Sequence, residues 1–407
     1  PEDFERWVEW GNDRWSFKEC LPYLLKIETD LDYGGDFHGQ DGPILVKRHP
    51  LNSLTDDQLA FYEACKYLGY KENMDHNLPD ATGVGPYPLN NPDGIRFSTA
   101  LGYLSQSRHR LNLTIKPNCV TRKIVFDGNI ATGVEVISGG EIFKIEGKEI
   151  ILSAGSIATP QILMLSGVGS EELLSAFDIS VISDLPGVGE NLRDHPTVHT
   201  TWEPHFSFNK PEQKIGPQKV ALRYTSQDSK YQNDMIMIMR FSHEIGDVGA
   251  LMLSVGIYLA ESVGRISLQS TDIHIQPVLD YNLLSHKYDL QRLREGVRLA
   301  DKIAEAPSFT DSIVARLSPD ETTINNDDLL DQWMLENVLT MHHISGTCKM
   351  GPKSDEEAVV DQYGLVYGTK QLRIADASIL PDCPRANTNV AAMLIGERIA
   401  DFIKTSD

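Results

Sequence analysis

No stretch of this 407-residue sequence approaches the run of about 18 apolar residues that a membrane-crossing helix needs. Its most apolar segments, Ile150 to Ala154, Ile162 to Val168 and Met235 to Met239, are short and end near turn residues. Basic clusters are equally scarce. Lys and Arg total 37 against 58 Asp and Glu, a formal charge of −21, and such a surface repels phosphate backbones, which are bound by basic side chains displacing counterions. The nearest approach to a basic cluster, Arg108, His109 and Arg110, reads as a solvated turn after a helix. Nucleic acid is thus discarded as a partner. Cysteine is sparse too: Cys20, Cys65, Cys119, Cys348 and Cys383 are widely spaced, odd in number and free of any C-x-x-C pair. That pattern is neither a disulfide framework nor a zinc-site spacing, so no metal site is expected, and a reducing compartment such as the cytoplasm is favoured.

What is present is enough chain for two or three domains. Residues 1–32 read as helical, with Phe17, Leu21, Leu24 and Leu25 at helical spacing. Glycines then mark a loop with a short strand at Ile44 to Val46, and Leu54 to Leu68 reads as a helix that Ser53 or Thr55 can cap. Residues 76–96, rich in Gly, Pro and Asn, form a long irregular segment of the kind that often carries function. A strand meander is expected over 113–115, 120–126, 131–137, 141–146 and 149–152, delivering Ala154-Gly155 into a helix over 158–165. A strand feeding a glycine turn into a helix is the local grammar of a nucleotide-binding sheet. Further strands are expected over 220–224, 235–240, 252–259 and 265–269, helices over 289–306 and 327–340, a strand over 372–375 and a closing helix over 391–403.

Three segments carry chemistry. The first runs Ser153-Ala-Gly-Ser-Ile-Ala-Thr-Pro to Ser166-Gly-Val-Gly169 and on through Leu185-Pro-Gly-Val-Gly-Glu-Asn-Leu-Arg-Asp-His195. The second is His343-Ile-Ser-Gly-Thr-Cys-Lys-Met-Gly351, and the third Leu372-Arg-Ile-Ala-Asp-Ala-Ser-Ile-Leu-Pro381 followed by Ala386-Asn-Thr-Asn-Val390. In order and spacing they resemble the signatures of the glucose–methanol–choline (GMC) oxidoreductases, and the resemblance spans essentially the whole chain. It implies an α/β protein with a discontinuous FAD-binding domain (106–200 and 336–407) and an α+β substrate domain built on an antiparallel sheet (1–105 and 201–335). The activity implied is oxidation of a small-molecule alcohol by hydride transfer to FAD. The reduced flavin would pass its electrons to oxygen, a quinone or another acceptor.

Alcohol oxidation fits the residues. The hydride needs an electron sink that side chains lack, hence a cofactor, and the hydroxyl proton needs a base titrating near the working pH, for which histidine suits best. The resemblance makes His343 that base, with the adjacent His342 as the alternative, and Asn387 the second group at the alcohol oxygen, with Asn389 as the alternative; His195 is given a structural role. It further sets Val120, Ala154, Gly155, Asp376, Ala377, Asn389 and Val390 against FAD. Absent is G-x-G-x-x-G, the turn that seats a dinucleotide pyrophosphate on a helix N-terminus: Gly83-Val-Gly85, Gly167-Val-Gly169 and Gly187-Val-Gly189 lack the third glycine. The expectation drawn from this is an N-terminally truncated sequence whose dinucleotide-binding segment lies upstream. Two competing readings are a hydroxynitrile lyase-like, non-redox enzyme on the same fold and a non-catalytic fragment.

Overall fold

Alternating side chains along Val220–Tyr224, Met235–Ser242 and Ala250–Ile257 give a sheet two distinct faces. The computed structural model describes residues 1–205, 218–243, 245 and 249–405. It sets these strands in an antiparallel seven-stranded sheet, ordered Ile313–Ser318, Pro196–Pro204, Ala250–Ile257, Met235–Ser242, Val220–Tyr224, Gly83–Pro86, with Leu339–Thr340 paired to Pro196 and Thr197. One face turns Met235, Met237, Leu253 and Val255 into a core shared with helices Asp56–Tyr67, Lys287–Ala304 and Asp327–Asn337. The central helix lies so close that a Cβ on Gly296 would meet Val255 at 2.6 Å. The other face carries Ala221, Ile236 and Ile238, packed with Tyr87, Tyr258 and Met341.

A separate core forms around a parallel pair, Ile150–Leu152 beside Leu372–Ile374. A three-stranded meander, Val120–Asp127, Ile130–Ser138 and Glu141–Glu146, flanks it, with helices Gly155–Leu165 and Thr388–Thr405. The N-terminal helices Glu2–Glu9 and Phe17–Ile27, expected with the substrate domain, pack into this same core through Trp7, Trp15 and Cys20. Polar contacts fasten them to the closing helix: Arg398 Nη1 donates to the Glu19 carbonyl (2.8 Å), Tyr23 to Asp401 (2.7 Å), and Lys26 pairs with Glu397 (2.6 Å).

Several local expectations need correction. The helix expected over 1–32 breaks at Gly11, whose φ of 89° is a left-handed helix end, and restarts where Ser16 Oγ accepts from Glu19 N (3.2 Å). Beyond it, Glu28–Asp30 is a strand paired in parallel with Ile44–Val46. Leu113 to Ile115 alternates correctly but forms no strand and leaves both residues exposed. The helix over 327–340 stops at Asn337, because Leu339 and Thr340 take up strand pairing instead. The helices expected from 158 and 391 begin earlier, at Gly155 and Thr388.

Candidate active site

His343 stands at the seam between the two cores, three residues beyond the short strand Leu339–Thr340. Asp194 sets its backbone: Oδ1 accepts from the N–H groups of both His195 (2.7 Å) and His343 (2.9 Å), and Oδ2 accepts from Thr340 Oγ1. The three sequence segments interlock behind it. Gly346, Cys348 and Met350 donate their N–H groups to the carbonyls of Ala377, Ser378 and Ile379 (3.1, 2.8 and 2.9 Å), and Thr347 Oγ1 donates to Ser156 (2.7 Å). Such a scaffold holds the imidazole to one position, which is what proton transfer at a fixed atom would require.

The imidazole of His343 is 7% exposed and has a partner on each nitrogen. Asn387 Nδ2 lies 2.9 Å from Nε2, and His195 Nδ1 lies 2.9 Å from Nδ1. A relay fixes the protons. Tyr258 and Tyr87 share a hydrogen bond, and the Tyr87 hydroxyl donates to Asn387 Oδ1. The Asn387 amide nitrogen must then face Nε2 and donate to it. With Nε2 accepting, His343 carries its proton on Nδ1 and gives it to the lone pair on His195 Nδ1. Burial, then the charge of His342, pushes the His343 pKa down to about 4; burial and His343 push His195 well down as well. Both rings are neutral at neutral pH, with the lone pair of His343 directed at Asn387.

The alternatives fare differently. His342 is exposed, at φ 61°, and stands outside the relay, its N–H held by Thr340 Oγ1 (2.8 Å). Asn389 lies exposed in the first turn of the closing helix, and Asn387 is the asparagine that reaches His343. Tyr87, Tyr258 and Asp194 were not singled out from the sequence. Tyr87 does fall in the irregular 76–96 segment, which was marked as a place for function.

Most of the residues assigned to FAD lie beside the core around the parallel pair Ile150–Leu152 and Leu372–Ile374. Ala154 and Gly155 form the turn leaving Ile150–Leu152, and Gly155, at φ 82°, opens the following helix with nothing within 4 Å of a hypothetical Cβ. Asp376 locks that turn: its carboxylate accepts from Gly155 N (3.0 Å), Thr159 Oγ1 (2.6 Å) and Ser378 N (2.8 Å). Ala377 follows it in a short helical turn. A cleft of about 410 Å³ runs beside the turn, lined by Thr121, Glu149, Ile151, Ser153 and Ala154 among others; Val120, next to Thr121, is 38% exposed, and Val390, in the first turn of the closing helix, is 43% exposed. These features fit a flavin nucleotide, which needs close backbone approach at a helix N-terminus and apolar surface beside its ring.

A second polar cluster lies elsewhere. Glu28, Asp30 and His38 bring ligand-type atoms within 4.8 Å of one another, a grouping that cysteine and histidine spacing did not foreshadow. Arg48 already occupies both oxygens of Asp30 (2.9 and 2.7 Å) and reaches Asp75 (2.7 Å), while His38 Nε2 faces Asp75 at 2.8 Å.

Sequence comparison decides the lineage. GMC oxidoreductase family models match residues 1–197 with their N-terminal part and 260–396 with their C-terminal part. The chain belongs to the GMC oxidoreductase family. Members of this family are FAD-dependent oxidoreductases acting on CH–OH donors. This GMC oxidoreductase is 35% identical over 441 residues to the oxygen-dependent choline dehydrogenase of Escherichia coli strain UMN026, covering 100% of this chain and 78% of that protein. It also resembles the crystal structure of pyridoxine 4-oxidase from Mesorbium loti, with a TM-score of 0.90 and 26% identity over 100% of this chain and 81% of that one. Formate oxidase from Aspergillus oryzae RIB40 shares the fold, at a TM-score of 0.87, 23% identity and coverage of 100% and 81%. The GMC oxidoreductase fold expected from the sequence, helices combined with antiparallel sheet, is the one observed. No helix among the described residues is long and apolar enough to cross a membrane.

Proposed function

We propose that this protein oxidises an alcohol to an aldehyde or ketone, with His343 as the general base and Asn387 as the group that holds the alcohol oxygen. The observation that carries this reading is the 2.9 Å contact between Asn387 Nδ2 and His343 Nε2. A hydroxyl can replace it with two bonds of its own, donating its proton to Nε2 and accepting from the amide N–H. That pose fixes the oxygen between base and donor, so the O–H proton passes to Nε2 as negative charge develops on oxygen. FAD supplies the acceptor for the hydride that leaves the adjacent carbon. His195 holds the Nδ1 proton of His343 in place and so keeps Nε2 free, and the two tyrosines keep the Asn387 amide from flipping.

Ala154, Gly155, Asp376 and Ala377 are assigned to the pyrophosphate and ribityl side of the flavin nucleotide, Val120 to the adenine side, and Asn389 and Val390 to the ring. Residues 106–200 and 336–407 then form the flavin side, joined by the helices of residues 2–27, and the seven-stranded sheet with its helices forms the substrate side. A reducing compartment, the cytoplasm, suits the five cysteines, all of which are free. The test is anaerobic mixing of the FAD-loaded protein with primary alcohols while flavin absorbance is followed. Bleaching that His343→Ala slows by orders of magnitude is the expected result. Cyanohydrin cleavage without bleaching would replace this reading with the lyase.

A further inference from the structure

The second face of the sheet, the one that meets the catalytic pair, carries an arginine whose charge is not answered. Register places Ile236, Ile238 and Arg240 along one strand of that face, opposite Gly256, Ser254 and Met252, and His199 opposite Ser254 on the next strand. The face is continuous with the active site: Met341 covers Gly256, where a Cβ would come within 2.8 Å of its Sδ, and Tyr87 and Tyr258 complete the apolar patch. Arg240 starts two rows further along, about 13 Å at two residues per row. Its guanidinium leans back across the intervening strand, so that Nη2 lies 2.9 Å from His199 Nε2. The charged end therefore returns to the row of Ser254, one row, or about 7 Å, from Gly256.

Its partners are unusual. Nη2 meets the imidazole of His199 and, at 3.9 Å, the thioether of Met252, and Nε is buried without an acceptor. Among the described residues no carboxylate lies within ion-pair distance of it. Other buried or half-buried arginines find oxygen: Arg48, Arg292, Arg373 and Arg385 reach carboxylates, and Arg223 and Arg193 spend donors on carbonyls. His199 is neutral, held at about 4 by burial and by Arg240, so it accepts from the guanidinium and adds no charge. A half-buried cation with idle donors, in a protein of charge −21, is a costly arrangement unless an anion completes it. Arg223 adds a second cation to the same face.

Building on the alcohol-oxidation reading, we propose that Arg240, supported by His199, is an anion subsite on the substrate face and that the preferred alcohol carries a carboxylate at the end remote from its hydroxyl. A guanidinium offers paired N–H donors matched to the two oxygens of a carboxylate, and the same charge disfavours a quaternary ammonium alcohol. A medium-chain ω-hydroxy carboxylate carries both groups that this arrangement would hold, and it serves as the probe.

The test measures flavin reduction in the FAD-loaded enzyme by ω-hydroxyhexanoate, hexanol and choline, and takes the ratio of kcat/KM for the carboxylate over the neutral alcohol. A preference of tenfold or more is expected, falling by about 10–100-fold in Arg240→Met, the worth of a charge-assisted hydrogen bond, and partly restored in Arg240→Lys. Because the ratio is taken on one preparation, a poorly folded variant cannot mimic the loss. Calorimetric titration with hexanoate, which cannot be oxidised, should show binding that Arg240→Met weakens. A ratio near one, a ratio unchanged by Arg240→Met, or faster reduction by choline would overturn the subsite while leaving alcohol oxidation standing. If no alcohol bleaches the flavin, the oxidation reading fails, and hexanoate binding by itself then decides whether Arg240 holds an anion.

Discussion

Two buried histidine clusters in this molecule are built on opposite plans. Around His343 the ring partners are another imidazole and an amide, while the nearby carboxylate, Asp194, spends itself on backbone N–H groups. Around His38 both ring nitrogens face carboxylates: Nδ1 lies 3.1 Å from Asp30 and 3.3 Å from Glu28, and Nε2 lies 2.8 Å from Asp75. Arg48 then bridges two of those acids. The first plan keeps an imidazole neutral with a directed lone pair, which chemistry needs. The second encloses cationic and anionic groups together and pins residues 28–48 to residue 75, which structure needs. The kind of neighbour given to a buried histidine separates a candidate base from a staple.

The comparison can be broken in four places. Removing the base should have the largest effect: His343→Ala should lower kcat by about 10²–10⁴-fold in stopped-flow flavin reduction, the worth of a positioned general base, with FAD still bound. A loss under about threefold would place the base elsewhere. In the other cluster, Arg48→Met leaves Asp30 and Asp75 buried without their cation and should cost roughly 3–5 kcal/mol in denaturant unfolding, while folded enzyme keeps its flavin-reduction rate. Stability equal to wild type would mean the cluster is not a staple.

The third test uses pH. His343 titrates at about 4 in the folded chain against 6.5 as its ordinary value, so between these values the unfolded chain binds more protons and stability falls as pH falls through that window. His343→Asn should lose less stability than wild type over the same interval, by an amount on the order of 3 kcal/mol; parallel curves for the two proteins would contradict a neutral His343. The smallest effect concerns the relay. Tyr87→Phe frees the Asn387 amide to flip and should slow flavin reduction by about tenfold, whereas Asn387→Ala should slow it more and Asn387→His should retain part of the rate. If Asn389→Ala is the damaging change and Asn387→Ala is silent, the assignment of the asparagines is reversed.

Much of this arrangement was legible in the sequence, and the illegible part has a physical pattern. The strands around Met235 and Ala250 announce themselves as short apolar runs, buried at successive positions because both faces of the sheet are covered, and the helix over 287–304 through its 3.6-residue period. The meeting of His343 and Asn387 was legible through segments whose residue types match a known signature. Tyr87 was not, since its bond to Asn387 spans 300 positions and no local pattern encodes a contact that distant. The His195–His343 contact spans 148 positions and was missed as a contact for the same reason. Arg48 and His38 were silent as well: each looks like an ordinary loop residue until folding brings Asp30 and Asp75 beside it. At Leu113 to Ile115 the local signal was present but a pairing partner was not, and the chain stayed irregular.

The parallel pairing of Ile150–Leu152 with Leu372–Ile374 sets a schedule for synthesis. The first of these strands leaves the ribosome 222 residues before the second exists, a wait of roughly 10–45 s at ordinary elongation rates. Throughout that interval it has an unsatisfied edge, and the turn at Gly155 lacks Asp376 to lock it. The antiparallel sheet, whose last strand is Leu339–Thr340, is synthesised in full before Leu372–Ile374 emerges to complete the parallel pair. A nascent chain halted before residue 372 would hold the whole antiparallel sheet while Ile150–Leu152 still lacked its partner strand.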